Sequence, residues 1–208
     1  MSNASHDLRS MGNAENFPGF NHPLQFSPMR PRHKPAMIKA VWSSHQQLRG
    51  FIGWAKYARS WNAKSINRFI DSHINDPLPN QHFVFTIGDE IVGVGSLVRS
   101  YSLLNCQIAL WVVSEHHGKG IGKAIVQTLE QVAWHVWGYT VIFYEHDHLN
   151  EASKKLPQKC GFTLSHTRNI EKSAEQESGF WFCWKKERPE GLPDAIIQGR
   201  PIEDFTTP

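Results

Sequence analysis

The strongest structural signal in the chain is the segment Leu110-Trp-Val-Val-Ser-Glu-His-His-Gly-Lys-Gly-Ile-Gly-Lys-Ala-Ile125. An apolar strand runs into a glycine-rich turn and leaves it as a helix. Gly118, Gly120 and Gly122 carry no Cβ, so their amides can approach a ligand closely. The first turn of the following helix adds unpaired N–H groups and the positive end of the helix dipole. The turn therefore predicts a site for a phosphate group.

The charges around the turn support an anion site. Lys119 and Lys123 lie at the helix end that favours anions, so a bound anion would compensate them. The spacing of the glycines matches neither the P-loop nor the dinucleotide fingerprint. For so short a motif, a helix that merely begins with flexible glycines is the alternative interpretation.

A crossover unit surrounds the turn. Residues 119–137 keep an apolar stripe with helical spacing, Gly138 ends the helix, and residues 139–144 read as a buried strand. The stripe consists of Ile121, Ile125, Leu129, Val132 and Val136. Two parallel strands joined by a helix bind ligands at their carboxyl ends, which is where the glycine turn lies.

The rest of the chain predicts a mixed, mostly antiparallel α/β sheet with helices on both faces. Residues 82–87 and 91–98 alternate in polarity around a turn at 88–90, which indicates a hairpin. Further strands are predicted at 23–29, 105–114, 162–170 and 179–184, and helices from 35 onward, at 64–75 and at 151–159. The first helix has an expected inner face of Ile38, Val41, Trp42, His45, Leu48 and Ile52, and the second of Ile66, Phe69, Ile70 and His73.

The length of 208 residues suits one domain with tails. Residues 1–22 lack periodicity and predict a mobile leader, part of it resembling a cloning remnant; 23–186 form the domain, and 187–208 a tail.

Composition excludes several classes of protein. A net charge of +3 is too small to indicate nucleic acid as a partner, and no apolar run approaches the length of a membrane span. Cys106, Cys160 and Cys183 form neither a disulfide framework nor a zinc pattern. Without a hydrophobic signal peptide, a reducing cytoplasm is expected.

Two linked motifs resemble those of the GNAT superfamily of N-acetyltransferases. The family's pyrophosphate loop, Gln/Arg-x-x-Gly-x-Gly/Ala, is similar to His117-Gly-Lys-Gly-Ile-Gly122, with histidine in the place of glutamine or arginine. Its downstream signature, Asn-x-x-Ala/Ser-x-x-Leu-Tyr-x-x-x-Gly-Phe, is similar to residues 150–162, with Pro157 in the place of the tyrosine that many members use as general acid.

The helical region narrows the resemblance. Leu48-Arg-Gly-Phe-Ile-Gly-Trp54-Ala55 and the later Phe69-Ile70 resemble segments of the RimJ/RimL branch, which acetylates the N-termini of ribosomal proteins and related amines. In that branch serine is usual at the position of Ser153.

The resemblance implies acetyl-CoA as co-substrate and a set of residues that bind it. Backbone amides of the strand before the loop polarise the thioester carbonyl in this family, and an asparagine after the next strand bonds the pantetheine arm. The implied cofactor-binding residues are Trp111, Val112, Val113, His117, Gly118, Lys119, Gly120, Ile121, Gly122, Lys123, Asn150 and Ser153. Helix capping is the alternative role of Asn150 and Ser153.

For catalysis the resemblance points to Glu145 and Ser153. Glu145, five residues before Asn150, stands where several N-terminal acetyltransferases carry their general base. A solvated charge at a strand end is the alternative. His146, Asp147 and His148 are other candidates for the base; as a metal site they lack further ligands, and no metal is expected. Ser153 is the implied donor to the leaving thiolate.

The predicted function is transfer of an acetyl group from acetyl-CoA to a primary amine, either a protein N-terminus or a small amine, by direct attack. The departures at His117 and Pro157 keep a catalytically weak acyl-CoA-binding or sensor domain as the alternative. Because direct attack by the amine needs no cysteine nucleophile, Cys160 is expected to be a packing residue. The protein is expected to be a monomer or a homodimer. Trp42, Trp54 and Trp61 are candidates to line the acceptor pocket, although tryptophans more often pack in a core.

Overall fold

The computed structural model describes residues 22–55, 63–74, 81–100, 102 and 104–193. The predicted leader before residue 22, the tail beyond residue 193 and Trp61 lie outside the described residues. Within that part of the chain, no helix is long and apolar enough to cross a membrane.

The described strands form one seven-stranded sheet in the order β1-β2-β3-β4-β5-β7-β6. Among them β4 and β5 pair in parallel and every other neighbour is antiparallel, as the sequence predicted. Their bounds are β1 Leu24–Pro28, β2 Gln81–Ile87, β3 Glu90–Arg99, β4 Asn105–Val112, β5 Val141–Asp147, β6 Thr163–Asn169 and β7 Phe180–Glu187.

Helices cover both faces of this sheet. Their bounds are α1 Lys34–Ser43, α2 His45–Phe51, α3 Ala63–Ile74, α4 Ile121–Gln131, α5 Glu151–Lys154 and α6 Leu156–Lys159. The crossover helix α4 buries the whole predicted stripe, and a π turn over Val132–Val136 extends it to Gly138. Helices α1 and α3 pack on the opposite face, where Met37 and Ile70 join Val84 and Val94 in a second core.

The first helical region departs from the prediction. It breaks at Ser44, and Trp42, which was predicted on the inner face, is 58% exposed. Val41 and Leu48 of the predicted face are buried, together with Met37 and Ala40, which were not predicted. The buried Ser44 hydroxyl accepts a hydrogen bond from the Ser114 N–H at 3.1 Å. This bond ties the break to the short turn Ser114–His116, which stands between β4 and the glycine loop. The strand before the loop was predicted to run to residue 114, and β4 ends at Val112.

Two further helices agree with the prediction in part. The helix predicted at 151–159 is two single turns, because Pro157 has no N–H to continue the first turn. In α3 the buried Ile70 agrees with the predicted inner face, and the side chains of Ile66, Phe69 and His73 lie outside the described residues.

Candidate active site

The site begins where the two parallel strands separate. Strands β4 and β5 pair from Asn105 with Val141 to Ile108 with Tyr144. Beyond that point β4 continues along β3 to Val112, whereas β5 continues along β7 to Asp147. A gap therefore opens in the middle of the sheet, at the carboxyl ends of both strands.

A cavity of about 1130 Å³ occupies this gap and reaches both faces of the sheet. On the α4 side it is lined by Gly118, Gly120 and Gly122, and on the other side by residues of α2 and of the loop between β6 and β7. Glu145, Asn150 and Ser153 line it between these two ends. The structure thus brings the predicted loop and the predicted catalytic residues into one cavity.

The glycine loop, residues 117–122, has the backbone of an anion cradle. Gly118 and Gly120 have φ of +75° and +86°, a region that glycine enters without strain. Gly120 precedes α4, and in the described structure the first turn of α4 has neither a side-chain cap nor an acidic residue. Its amides and the positive end of the helix dipole are available to an anion.

His117 fastens this loop to the end of β4. Its Nε2 lies 2.9 Å from the Val112 carbonyl oxygen, so the ring donates there. The His117 ring therefore hydrogen-bonds the protein backbone, and this bond holds the loop in position against β4.

The amides of β4 divide between the two sides of the strand. The Val113 N–H donates to the Val92 carbonyl at 2.9 Å, so it is already bonded within the sheet. Because N–H groups alternate along a strand, Trp111 also points toward β3, while Leu110 and Val112 point toward the gap. Of the three amides predicted to polarise a carbonyl, that of Val112 faces the cavity; Leu110 was not predicted.

Asn150 and Ser153 meet at the first turn of α5. The Asn150 Oδ1 accepts a hydrogen bond from the Ser153 N–H at 3.2 Å, which is the capping role and leaves Nδ2 able to donate. The Ser153 side chain hydrogen-bonds Tyr144, whose pKa burial raises to about 12 against the opposing effect of that bond. Tyr144 is thus a neutral phenol that orients Ser153.

Glu145 is ion-paired. Its Oε2 lies 2.5 Å from Nη2 of Arg168, which reaches across β7 from the edge strand β6. The Glu145 side chain is 11% exposed and that of Arg168 is 48% exposed. Glu145 thus lines the cavity with its carboxylate held by Arg168 and mostly shielded from solvent, which differs from a solvated charge at a strand end.

The other candidates for the base are held by the fold. His146 accepts from Trp184 Nε1 at Nε2, 3.1 Å away, and donates from Nδ1 to the Asp147 carbonyl, so both ring nitrogens are bonded. Burial lowers the pKa of His146, which keeps the imidazole neutral. The His148 ring bonds the Ser178 hydroxyl at 2.9 Å.

Asp147 fixes the loop that closes the cavity. Burial alone would raise the pKa of Asp147, but hydrogen bonds from Leu149, Ser178 and Gly179 outweigh that effect and hold it below its ordinary value. The Ser178 and Gly179 amides lie 2.8 and 2.9 Å from Oδ2. These bonds make Asp147 a structural carboxylate.

Cys160 is buried and unbridged. Burial raises the pKa of its thiol to about 11, so the reactive thiolate is scarce at neutral pH. The thiol is therefore poorly suited to nucleophilic attack, in agreement with the predicted packing role.

Several residues in the cavity wall, or paired with a residue of that wall, escaped prediction. Trp54 lines it as expected, but Trp42 does not belong to its wall, and Trp181 from β7 does. Arg168, His82 and Ser96 were missed because each acts through a partner on another strand. The polar positions in the alternating strand at 82–87 were the available signal for His82.

Comparisons with known proteins agree with this geometry. The family model "Acetyltransferase (GNAT) domain" matches residues 24–163. No curated protein sequence matched the chain significantly.

Solved structures share the fold at low identity. RimL, a ribosomal L7/L12 alpha-N-protein acetyltransferase in complex with coenzyme A, is 14% identical with a TM-score of 0.72 over 85% of this chain and 97% of its own. The microcin C7 self-immunity acetyltransferase MccE with acetyl-CoA and AMP is 16% identical, with a TM-score of 0.71 over 79% and 92%. Spermidine N-acetyltransferase from Vibrio cholerae with CoA and spermine is 13% identical, with a TM-score of 0.66 over 79% and 95%. The likeness to these structures confirms the predicted fold.

Proposed function

Since the chain belongs to the acetyltransferase (GNAT) domain family, we propose that it moves the acetyl group of acetyl-CoA to a primary amine by direct attack. The observation that carries this proposal is the gap between β4 and β5, which joins the glycine loop and the acceptor side of the sheet in one cavity. A thioester held along the gap is accessible to an amine from the other face.

The chain offers a fitting site for the pyrophosphate of coenzyme A. We assign the phosphate contacts to the loop from His117 to Gly122, with charge from Lys119 and Lys123. A Cβ added at Gly122 would meet Leu156, Val112 and Leu110 at 3.5 to 4.0 Å, so the protein itself leaves room there. The glycine is therefore better explained by a ligand than by packing, and His117 acts by holding the loop against Val112.

Residues of β4 and α5 next to the glycine loop can position the thioester. The Val112 and Leu110 amides face the gap and are preorganised donors for the carbonyl oxygen, on which negative charge develops during attack. Trp111 and Val113 contribute by keeping β4 bonded to β3. Asn150 Nδ2 is placed to donate to the pantetheine arm, and the Ser153 hydroxyl, held by Tyr144, to the leaving thiolate.

Glu145 remains the proposed acceptor of the amine proton. Its carboxylate lies at the cavity wall in an ion pair with Arg168, where it attracts the ammonium form of an acceptor. The proton can pass to the carboxylate directly or through water.

The acceptor half of the cavity favours an amine without further positive charges, such as a protein N-terminus, over a polyamine. Its wall carries amide side chains and tryptophans: Gln46, Gln47, Gln107, Gln176, Trp54 and Trp181. The carboxylates that could hold extra ammonium groups are already bonded, as Glu177 is by Ser173 and Ala174. The additional positive charges of a polyamine would therefore be poorly matched by the side chains of this wall.

The cysteines support a reducing compartment, and we propose the cytoplasm. Cys106, Cys160 and Cys183 are all buried and free, as expected where thiols stay reduced.

The test is a panel of amines, comprising N-terminal peptides, small amines and spermidine, incubated with acetyl-CoA while free thiol is detected. Amine-dependent thiol release supports the transferase, and a preference for peptides supports the acceptor class. Binding of coenzyme A without release for any amine would favour the weak acyl-CoA-binding or sensor alternative.

A further inference from the structure

A hydrogen-bonded pair lies beside the gap on the acceptor face of the sheet. His82 on β2 stands directly opposite Ser96 on β3, and His82 Nδ1 is 2.7 Å from Ser96 Oγ. Ser96 is 8% exposed, and both residues line the cavity. A histidine and a serine at this point provide a polar feature in a wall that otherwise includes Met29, Met37 and Val94.

The register places this pair next to the expected reaction centre. Ser96 stands opposite Ala109, and Ala109 is the first residue of β4 beyond its last pairing with β5 at Ile108. On β5 the first residue beyond that pairing is Glu145. Ala109 and Glu145 lie on the same face as Ser96, because Ile108 and Tyr144 belong to the core on the α4 side.

The Ser96 hydroxyl and the Glu145 carboxylate thus flank Ala109 from two directions. An amine that reaches the thioester over Ala109 passes between an oxygen on β3 and a carboxylate on β5. Neighbouring strands are about 4.8 Å apart, so β3 and β5 stand about 9.6 Å apart across β4, and an amine bound between the side chains of Ser96 and Glu145 can contact both.

We propose that Ser96 is an amine-binding residue, oriented for this role by His82. The inference rests on the proposed function. The Ser96 hydroxyl donates its hydrogen to His82 Nδ1 and directs its lone pairs into the cavity, where they accept from an N–H of the acceptor. Ser96 forms no covalent bond, and the proton lost by the amine goes to Glu145. His82 is a positioning residue that acts through Ser96.

A purely structural role makes a different prediction. If the pair only links β2 to β3, its loss lowers thermal stability and leaves the kinetics for the acceptor unchanged. The two roles are therefore separated by the KM for the amine, measured beside the melting temperature and the affinity for coenzyme A.

The experiment uses the full chain and compares Ser96→Ala, His82→Phe and His82→Asn. A hydrogen bond to an ammonium group predicts that Ser96→Ala raises the amine KM by about tenfold with coenzyme A affinity unchanged. His82→Phe should approach that effect, whereas His82→Asn keeps an oxygen near the Nδ1 position and should restore most of the wild-type KM. The exposed Ser165→Ala on β6 is the matched control.

Binding gives a second readout that does not depend on turnover. Calorimetry with trialanine and with ethylamine, in the presence of coenzyme A, should show weaker amine binding in Ser96→Ala than in the wild type. An unchanged amine KM and unchanged amine affinity in Ser96→Ala, or no rescue by His82→Asn, would overturn the assignment, as would failure of the wild type to bind either amine. Absence of thiol release with amine binding intact would count against the proposed transferase and leave Ser96 as the binding residue.

Discussion

The Glu145 carboxylate and the Arg168 guanidinium form an ion pair of 2.5 Å that spans three strands of the sheet, from β5 across β7 to the edge strand β6. The pair fixes a negative charge at the wall of the cavity while its cation stays half in solvent. An anion with an exposed partner can exchange that partner for an arriving ammonium group. The Glu145 carboxylate is therefore suited both to attract the acceptor and to take its proton.

Glu145→Gln keeps the size of the side chain and removes proton acceptance. General bases typically contribute on the order of a hundredfold or more, so kcat should fall by about that factor while the affinity for coenzyme A is preserved. Steady-state rates and calorimetry measure the two quantities. Arg168→Gln is the matched control: it removes the ion pair, keeps the carboxylate and should cost less. Wild-type turnover in Glu145→Gln would show that the base lies elsewhere.

Gly122→Ala tests the phosphate cradle. The added Cβ meets its nearest protein atom at an ordinary contact distance of 3.5 Å, so the fold should tolerate it. Projecting into the cavity, it should weaken coenzyme A several-fold, and Gly122→Val more so. Gly120→Val is a less clean test, because φ of +86° strains any residue with a Cβ. The exposed Gln127→Ala on the same helix is the control, and unchanged affinity in Gly122→Val would contradict the cradle.

Ser153→Ala should reduce kcat less than Glu145→Gln does. A thiolate is a far better leaving group than an amine, so its protonation is the less demanding step. For the same reason Pro157→Tyr should not raise the rate, and it disturbs a buried residue whose carbonyl accepts from Phe162. A Ser153→Ala enzyme slower than Glu145→Gln would reverse the two assignments.

Cys160→Ala should leave turnover close to that of the wild type. The Cys160 thiol is buried, and burial raises its pKa to about 11, so its loss removes packing rather than a nucleophile. A stability loss of about 1 kcal/mol is expected in urea unfolding. An inactive but folded Cys160→Ala protein would indicate a covalent acetyl-cysteine intermediate.

Local patterns sufficed to predict the crossover unit and the loop. The stripe of α4, the glycines after β4 and Gly138 are all contained in one continuous stretch, and the structure places each where it was expected. Glu145 and Ser153 were located by the resemblance, since their chemistry depends on the ends of β5 and α5 being close in space.

Contacts across strands could not be predicted in this way. Counting back from the turn at 88–90 pairs His82 with Gly95, but a register shift between Phe85 and Thr86 puts Ser96 opposite it. The insertion of β7 between β5 and β6 likewise brings Arg168 to Glu145, and nothing in the sequence near either residue specifies that strand order.

A buried ion pair between Lys186 and Glu130 joins α4 to β7. The Lys186 ammonium contacts both Glu130 carboxylate oxygens at 2.9 and 3.0 Å and donates to the Cys160 carbonyl at 2.7 Å. It also lies 5.2 Å from the ring centroid of Trp134. Lys186→Met leaves Glu130, whose side chain is 5% exposed, without its cation, and should cost about 3 kcal/mol or more of unfolding free energy.

The loss should grow as the pH rises. Burial raises the pKa of Glu130, and Lys186 opposes that effect, so removing Lys186 raises it further. The folded variant then holds a proton that the unfolded chain releases in the ordinary glutamate range, and stability falls as the pH rises through and above that range. Urea unfolding at about pH 5 and pH 8 measures the difference. Because Glu130→Gln in the Lys186→Met background removes the titrating carboxyl, it should abolish the added pH dependence; if the dependence persists, another group is responsible for it.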